Sequence, residues 1–356
     1  MEKTLIPNKT SGFWGEQTAT INWCEINYEV TYYIAEFWNT ISNLVMILFP
    51  IYGIYWSYVH TQYAFDVETK ENFKTRFFKI PYSVLFSHLG LMVVGLGSWM
   101  FHMTLLYPMQ LLDEIPMVFG SGIIIYANYD LILCSFKLDE QQKRSNRINK
   151  SEPWTIKAFL WKIFESRLAV ALILVVYCVI FVYVYLYVWN NPIFHEMAYG
   201  IMVFVVVFVN FYNIHRYKLS KKLYVLSLLY YTLGFLLWNI DNNFCDYLVK
   251  YRKSIEEFLG IAKVDFDMFD SKAIALNVVA VSLKSISEFH SLWHVFTGYA
   301  SYMSILALTE LQYQHFIYKT KSGHLMSVRP VSSKYFDLYF HLTEDLIDET
   351  NRSKVK

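Results

Sequence analysis

The sequence predicts an all-α, polytopic membrane protein: a bundle of seven transmembrane helices with its N-terminus lumenal and its C-terminus cytosolic. Three observations lead there. Of 356 residues, 55% are hydrophobic and only 17% are charged, where an ordinary soluble domain carries ~25% charged residues. The missing charge is concentrated in long apolar runs. Leu168 to Trp189, LAVALILVVYCVIFVYVYLYVW, has the ~20 residues that cross ~30 Å of hydrocarbon as a helix. The segments between such runs alternate in basic content, which sets their sides.

The expected spans are, in order, Phe37–Val59, Ile80–Phe101, Ile115–Phe136, Leu168–Trp189, Met197–Ile214, Leu223–Ile240 and Leu292–Leu308. The links after spans one, three and five are basic, with Lys70 and Arg76 in the first, Arg144 and Arg147 in the second, and Arg216 and Lys221 in the third. The links around Tyr107-Pro108 and Asn190-Asn191-Pro192 have no Lys or Arg. Lys and Arg resist translocation, so the basic links and the C-terminal tail are cytosolic. Three regions follow: a lumenal segment 1–36, a membrane domain 37–308 with a long lumenal loop about 242–291, and a cytosolic tail 309–356. Within that loop, Ala273–Leu283 is apolar but too short to span. The opening MEKTLIPNKTSGFWGEQ lacks the continuous apolar core of a cleavable signal, so the first span is expected to direct insertion. Asn8-Lys9-Thr10 fits a glycosylation acceptor on the lumenal side; Asn149-Lys150-Ser151 fits the pattern on the cytosolic side, where it would stay unmodified.

Ionisable groups are costly inside spans and usually functional there. Here they gather at one end of the bundle. Span two closes with Ser98-Trp99-Met100-Phe101-His102, and span three opens beside Asp113. Span seven opens with His290 and His294, whose i, i+4 spacing puts both imidazoles on one helix face. Alternating span directions bring His102, Asp113, His290 and His294 to the same lumenal face. Three histidines with an open fourth position form the ligand set of a catalytic zinc. Asp241, at the lumenal end of span six, is placed either as a partner to a zinc histidine or as a polar helix end. His88 and His195 lack such company and are expected to be structural.

The blocks NWCEINYEVTYYIAEFWNTISNL, GSWMFHMTLLYPMQLLDEIPM, FLLWNIDNNFCDYL and EFHSLWHVFTGYASYM resemble the alkaline ceramidases of the endoplasmic reticulum and Golgi. That family belongs to a seven-span hydrolase superfamily that also contains the adiponectin and progestin receptors. The resemblance runs from Gly12 to about Met303. It implies zinc on His102, His290 and His294, with Ser98 and Asp113 as catalytic partners. It also implies calcium at Asn22, the Trp23 carbonyl, Glu25, Asn27 and Glu36, oxygen ligands suited to that ion. Asn22 stands where the family has aspartate, which removes one negative charge. The loop before span seven is longer than in compact family members.

The implied activity is zinc-dependent hydrolysis of a ceramide amide (dihydro- and phytoceramide included) to a sphingoid base and a fatty acid. The substrate would come from the bilayer, and residence in the endoplasmic reticulum or Golgi membrane is implied. A receptor of the same superfamily without turnover is the alternative. The net charge of +1 gives no basic surplus for a nucleic-acid partner. A transporter is disfavoured because no inverted repeat or Gly/Pro-broken helix pair is present. Cys24 and Cys245 both fall on the lumenal side, where disulfides persist, and are the expected bridge. Cys134 and Cys178 lie near or within the membrane as packing residues.

Overall fold

A computed structural model of the chain describes residues 11–61, 64–66, 71–73, 82–144, 162–163, 165–216, 221–258, 286–319, 328–332 and 338–342. Helices dominate: α1 (Phe37–Ser42), α2 (Leu44–Thr61), α3 (Tyr82–Thr104), α4 (Tyr107–Arg144), α5 (Arg167–Tyr183), α6 (Pro192–Arg216), α7 (Lys221–Phe258) and α8 (Phe289–Lys319). A π-helical turn, Val184–Val188, extends α5. Three two-stranded antiparallel hairpins accompany them: β1–β2 (Ser11–Gly12, Gly15–Glu16), β3–β4 (Ala64–Asp66, Glu71–Phe73) and β5–β6 (Val328–Ser332, Leu338–Leu342). Asn8, Asn149, Ala273–Leu283 and most of the C-terminal tail lie outside the described residues.

Among the described residues, six helices are long and apolar enough to cross a membrane: Phe37–Tyr55, Tyr82–Thr104, Tyr107–Leu133, Arg167–Val188, Pro192–Asn213 and Lys222–Ile255. The seventh expected span falls within α8, which is long but is not among the six. Its sequence is tempered by His290, Ser291, His294, Thr297, Ser301 and Ser304. Exposed apolar side chains on α5 and α6, such as Leu172, Val176, Val179, Phe204 and Phe208, form a surface that hydrocarbon accommodates and water does not.

Several helices exceed their expected spans, α4 and α7 among them. α4 begins at Tyr107 rather than Ile115, because its polar first turns are satisfied by protein. Gln110 donates to Thr20 Oγ1 (2.8 Å) and to Glu114 Oε1 (3.1 Å). α7 continues past Ile240 through a kink at Phe244 (φ −118°, ψ 21°) to Phe258, so the first part of the expected lumenal loop is helical.

The chain divides into two compact units. One comprises Met1–Leu48, Met92–Pro116 and Ser227–Ser301; the other comprises Phe49–Leu91, Met117–Leu226 and Tyr302–Lys356. In the first, Trp23, Tyr28, Ala35, Phe101 and Leu105 form a core against which Met109 and Trp238 pack. A helix end leaves its last carbonyls without intrahelical donors. Here the N-terminal segment supplies them: Ala35 N–H donates to Met103 O (3.0 Å) and Glu36 N–H to His102 O (2.9 Å). Leu105 takes the left-handed conformation (φ 51°) that ends α3, and its carbonyl accepts from Thr18 and Ala19 N–H. In the second unit, buried amides link helices. Asn213 Nδ2 donates to Asn128 Oδ1 (2.8 Å) and Asn210 Nδ2 to Ser304 Oγ (3.2 Å), the polar pairing that substitutes for hydrophobic attraction inside a bilayer.

Candidate active site and metal centre

Every sequence-predicted site residue lies in the first unit. α3 contributes Ser98 and His102, α4 contributes Asp113, and α8 contributes His290 and His294. The three histidines are buried, and each offers a ring nitrogen such that the ligand atoms lie within 4.8 Å of one another. Their ring centroids are 4.6 to 5.1 Å apart.

The hydrogen-bond network fixes which nitrogens are available. His102 Nδ1–H donates to Glu36 Oε2 (2.5 Å), which leaves Nε2 unprotonated. That nitrogen is buried and makes no hydrogen bond to protein. Ser42 spends its hydroxyl proton on the Asn39 carbonyl (2.9 Å), so it must accept from His294 Nδ1–H (2.8 Å). His294 Nε2 then carries its lone pair on the side of Ser98 Oγ, 3.4 Å away. Partners that fix a histidine tautomer in this way are what metal-binding imidazoles use. His290 is held differently: Trp23 stacks on it at 3.7 Å and 17°, and Trp293 packs at 5.1 Å and 27°. A buried imidazole nitrogen without a proton or a hydrogen bond is costly unless something else fills the lone pair. The three histidines therefore fit a divalent metal.

Ser98 is buried, with its Oγ on the side of His294 Nε2, and half-buried Asp113 lies on the facing helix. Gly97 makes this approach possible: a Cβ there would overlap the Leu112 carbonyl oxygen of α4. α3 and α4 thus meet backbone to backbone one residue from both functional groups.

The residues expected to hold calcium are also brought together. Glu36 is buried, with Oε1 accepting from Trp23 N–H (3.2 Å) and Oε2 from Asn39 Nδ2 (3.1 Å). Glu25 caps the start of α1, accepting from Trp38 N–H (2.7 Å) and Asn39 N–H (2.9 Å). Asn27 donates to Asn22 Oδ1 (3.3 Å), while its own Oδ1 is buried without a hydrogen bond. Burial, reinforced by Glu288 and Glu36, pushes the Glu25 carboxyl well above the usual carboxylate range, and the Trp38 and Asn39 N–H groups only partly oppose it. Buried carboxylate and amide oxygens gathered in this way fit a hard cation.

Cys24 and Cys245 are joined in a disulfide with Cα atoms 5.4 Å apart, and Cys178 is a buried free thiol. Asp241 accepts from Cys24 N–H (3.3 Å). The partners that orient His102 and His294 are Glu36 and Ser42, which sequence reasoning did not place in that role. The polar run Asn39-Thr40-Ile41-Ser42-Asn43 at the mouth of the first span is the signal that could have found Ser42.

Fold and site together define a polytopic membrane protein with a buried three-histidine centre at helix ends. The ceramidase family profile matches residues 15–263. The chain is 33% identical over 320 residues to mouse alkaline ceramidase 3, covering 90% of this chain and 93% of that protein. It is 29% identical to the yeast alkaline ceramidase YPC1 of Saccharomyces cerevisiae over 308 residues, 85% of this chain and 79% of that one. To the alkaline ceramidase of Arabidopsis thaliana it is 38% identical over 119 residues, 33% of this chain and 40% of that one. The chain belongs to the ceramidase family.

Proposed function

We propose that this protein is an alkaline ceramidase that hydrolyses the amide of ceramide, dihydroceramide or phytoceramide to a sphingoid base and a fatty acid. The observation that carries this reading is the buried cluster of His102, His290 and His294 beside Ser98 and Asp113 in a chain of this family. These histidines would hold zinc, which supplies polarisation of the amide carbonyl and a more acidic water. Asp113 takes one proton from water as its oxygen bonds to the carbonyl carbon, then gives that proton to the nitrogen as the C–N bond breaks. Ser98, one turn before His102 on α3, would donate its hydroxyl proton to the developing oxyanion.

Glu25, Glu36, Asn27, Asn22 and the Trp23 carbonyl would hold calcium, which neutralises the buried carboxylates and fixes the segment that packs on His290. By its resemblance to the family, the protein would reside in the endoplasmic reticulum or Golgi membrane. The Cys24–Cys245 disulfide supports a lumenal position for the site, since such bridges persist in oxidising compartments. The N-terminus would then be lumenal and the C-terminus cytosolic across seven spans, with ceramide entering from the bilayer.

The test is release of sphingoid base by purified protein from each of the three ceramide classes, with Asp113→Asn alongside. Release by the wild type, abolished in a variant that keeps its zinc, supports the assignment. A folded, zinc-loaded wild type that releases nothing overturns it in favour of a receptor.

A further inference from the structure

Beyond the Phe244 kink, α7 turns a stripe of side chains onto the N-terminal segment. Cys245, Leu248, Val249 and Arg252 fall at i, i+3, i+4 and i+7, one face of a helix. Cys245 is bonded to Cys24, and Val249 packs in the same cluster. The stripe ends on a charge. Arg252 is only 1% exposed and heads the fully buried side chains by volume.

Its guanidinium is fully used. Nη1 donates to Cys24 O (2.8 Å), Nε to Ser287 Oγ (3.2 Å) and Nη2 to Ser287 O (2.7 Å), and Nη2 lies 2.8 Å from Glu288 Oε2. These acceptors belong to two separate pieces of chain, both touching His290. Cys24 follows Trp23, whose ring stacks on His290 at 3.7 Å. Ser287 and Glu288 immediately precede α8, and the Glu288 carbonyl opens that helix by accepting from Leu292 N–H (3.2 Å) and Ser291 Oγ (2.7 Å).

We infer that Arg252 is a positioning residue for the metal centre: its planar fork clamps the Trp23–Cys24 segment to the start of α8 and so fixes the His290 imidazole between its flanking rings. Lysine is a poor substitute, because one ammonium on a flexible stem cannot reach four divergent acceptors. The inference rests on the proposed zinc site, and it deepens that reading by naming what holds the third ligand.

The test separates positioning from simple stability. Removing Arg252 alone would strand the Glu288 charge, whereas replacing both members of a buried pair with apolar residues is often neutral for stability. Full-length Arg252→Lys and the double variant Arg252→Met/Glu288→Met are compared with wild type for melting temperature, zinc affinity by chelator competition, and kcat and KM for ceramide. The double variant is expected to melt below wild type, since the Cys24 and Ser287 acceptors lose their donor, yet to stay folded and bind zinc roughly 10- to 100-fold more weakly, the loss typical when a ligand's support is removed. kcat is expected to fall with KM nearly unchanged, and Arg252→Lys to lie between. Wild-type zinc affinity in a folded double variant would overturn the inference. If the double variant does not fold, wild-type affinity in Arg252→Lys overturns it and weakened affinity supports it. Zinc affinity is read without turnover, so a wild type that binds zinc but cleaves no ceramide refutes the hydrolase reading and leaves the clamp standing.

Discussion

Glu36 joins the three-histidine cluster to the N-terminal segment at the level of a single side chain. Its Oε2 accepts the His102 Nδ1 proton while its Oε1 holds the Trp23 backbone. Glu36→Gln keeps the shape but removes the charge that favours the Nδ1–H tautomer. Zinc affinity or turnover is expected to fall roughly 10- to 100-fold, read by chelator competition and by base release. Ser98→Ala is expected to lower kcat by about 10²–10³ with zinc content unchanged; equal kcat would remove Ser98 from the chemistry. The gathering of His102, His290 and His294 was legible from spacing and span direction, whereas the roles of Ser98 and Asp113 came only from the resemblance to the family. Ser42 and Arg252 were not legible, since each reaches its partner over more than thirty residues of sequence and no local period marks it.

The helix packing hinges on residues that lack side chains. Gly95 and Gly298 both face Met46, where an added Cβ would come within 2.8 and 2.6 Å of its side chain, and Gly97 admits the α4 backbone beside Ser98. Small residues at such crossings are how membrane helices approach closely. Gly97→Ala forces the Leu112 carbonyl away and is expected to cost about 1–3 kcal/mol. It should also lower kcat by moving Ser98 from Asp113; a thermal-shift measurement with kinetics on the same sample checks both. The apolar spans were readable because hydropathy over ~20 residues is a strong signal. The continuation of α7 to Phe258 was not: after Ile240 the sequence DNNFCDYLVKYRKSIEEF is polar enough to suggest a loop. What keeps it helical is tertiary, namely the disulfide and the Arg252 contacts.

For the molecule as a whole, the buried charge balance is the governing feature. Glu25, Glu36, Asp241 and Glu288 are buried in one unit with Arg252 as their buried guanidinium, an excess of negative charge that bound cations would offset. Calcium is therefore expected to raise the melting temperature of the purified protein, and Glu25→Gln to abolish that response. An unchanged melting curve with and without chelator would remove calcium from the account. The chain belongs to the ceramidase family, and among its described residues six helices are long and apolar enough to cross a membrane. The most direct test of the central claim, that ceramide is cleaved at the three-histidine centre, compares sphingoid-base release and zinc content in purified wild type and His290→Ala. Release by wild type only is expected, with zinc lost from the variant. Equal release by a zinc-free His290→Ala protein would contradict it.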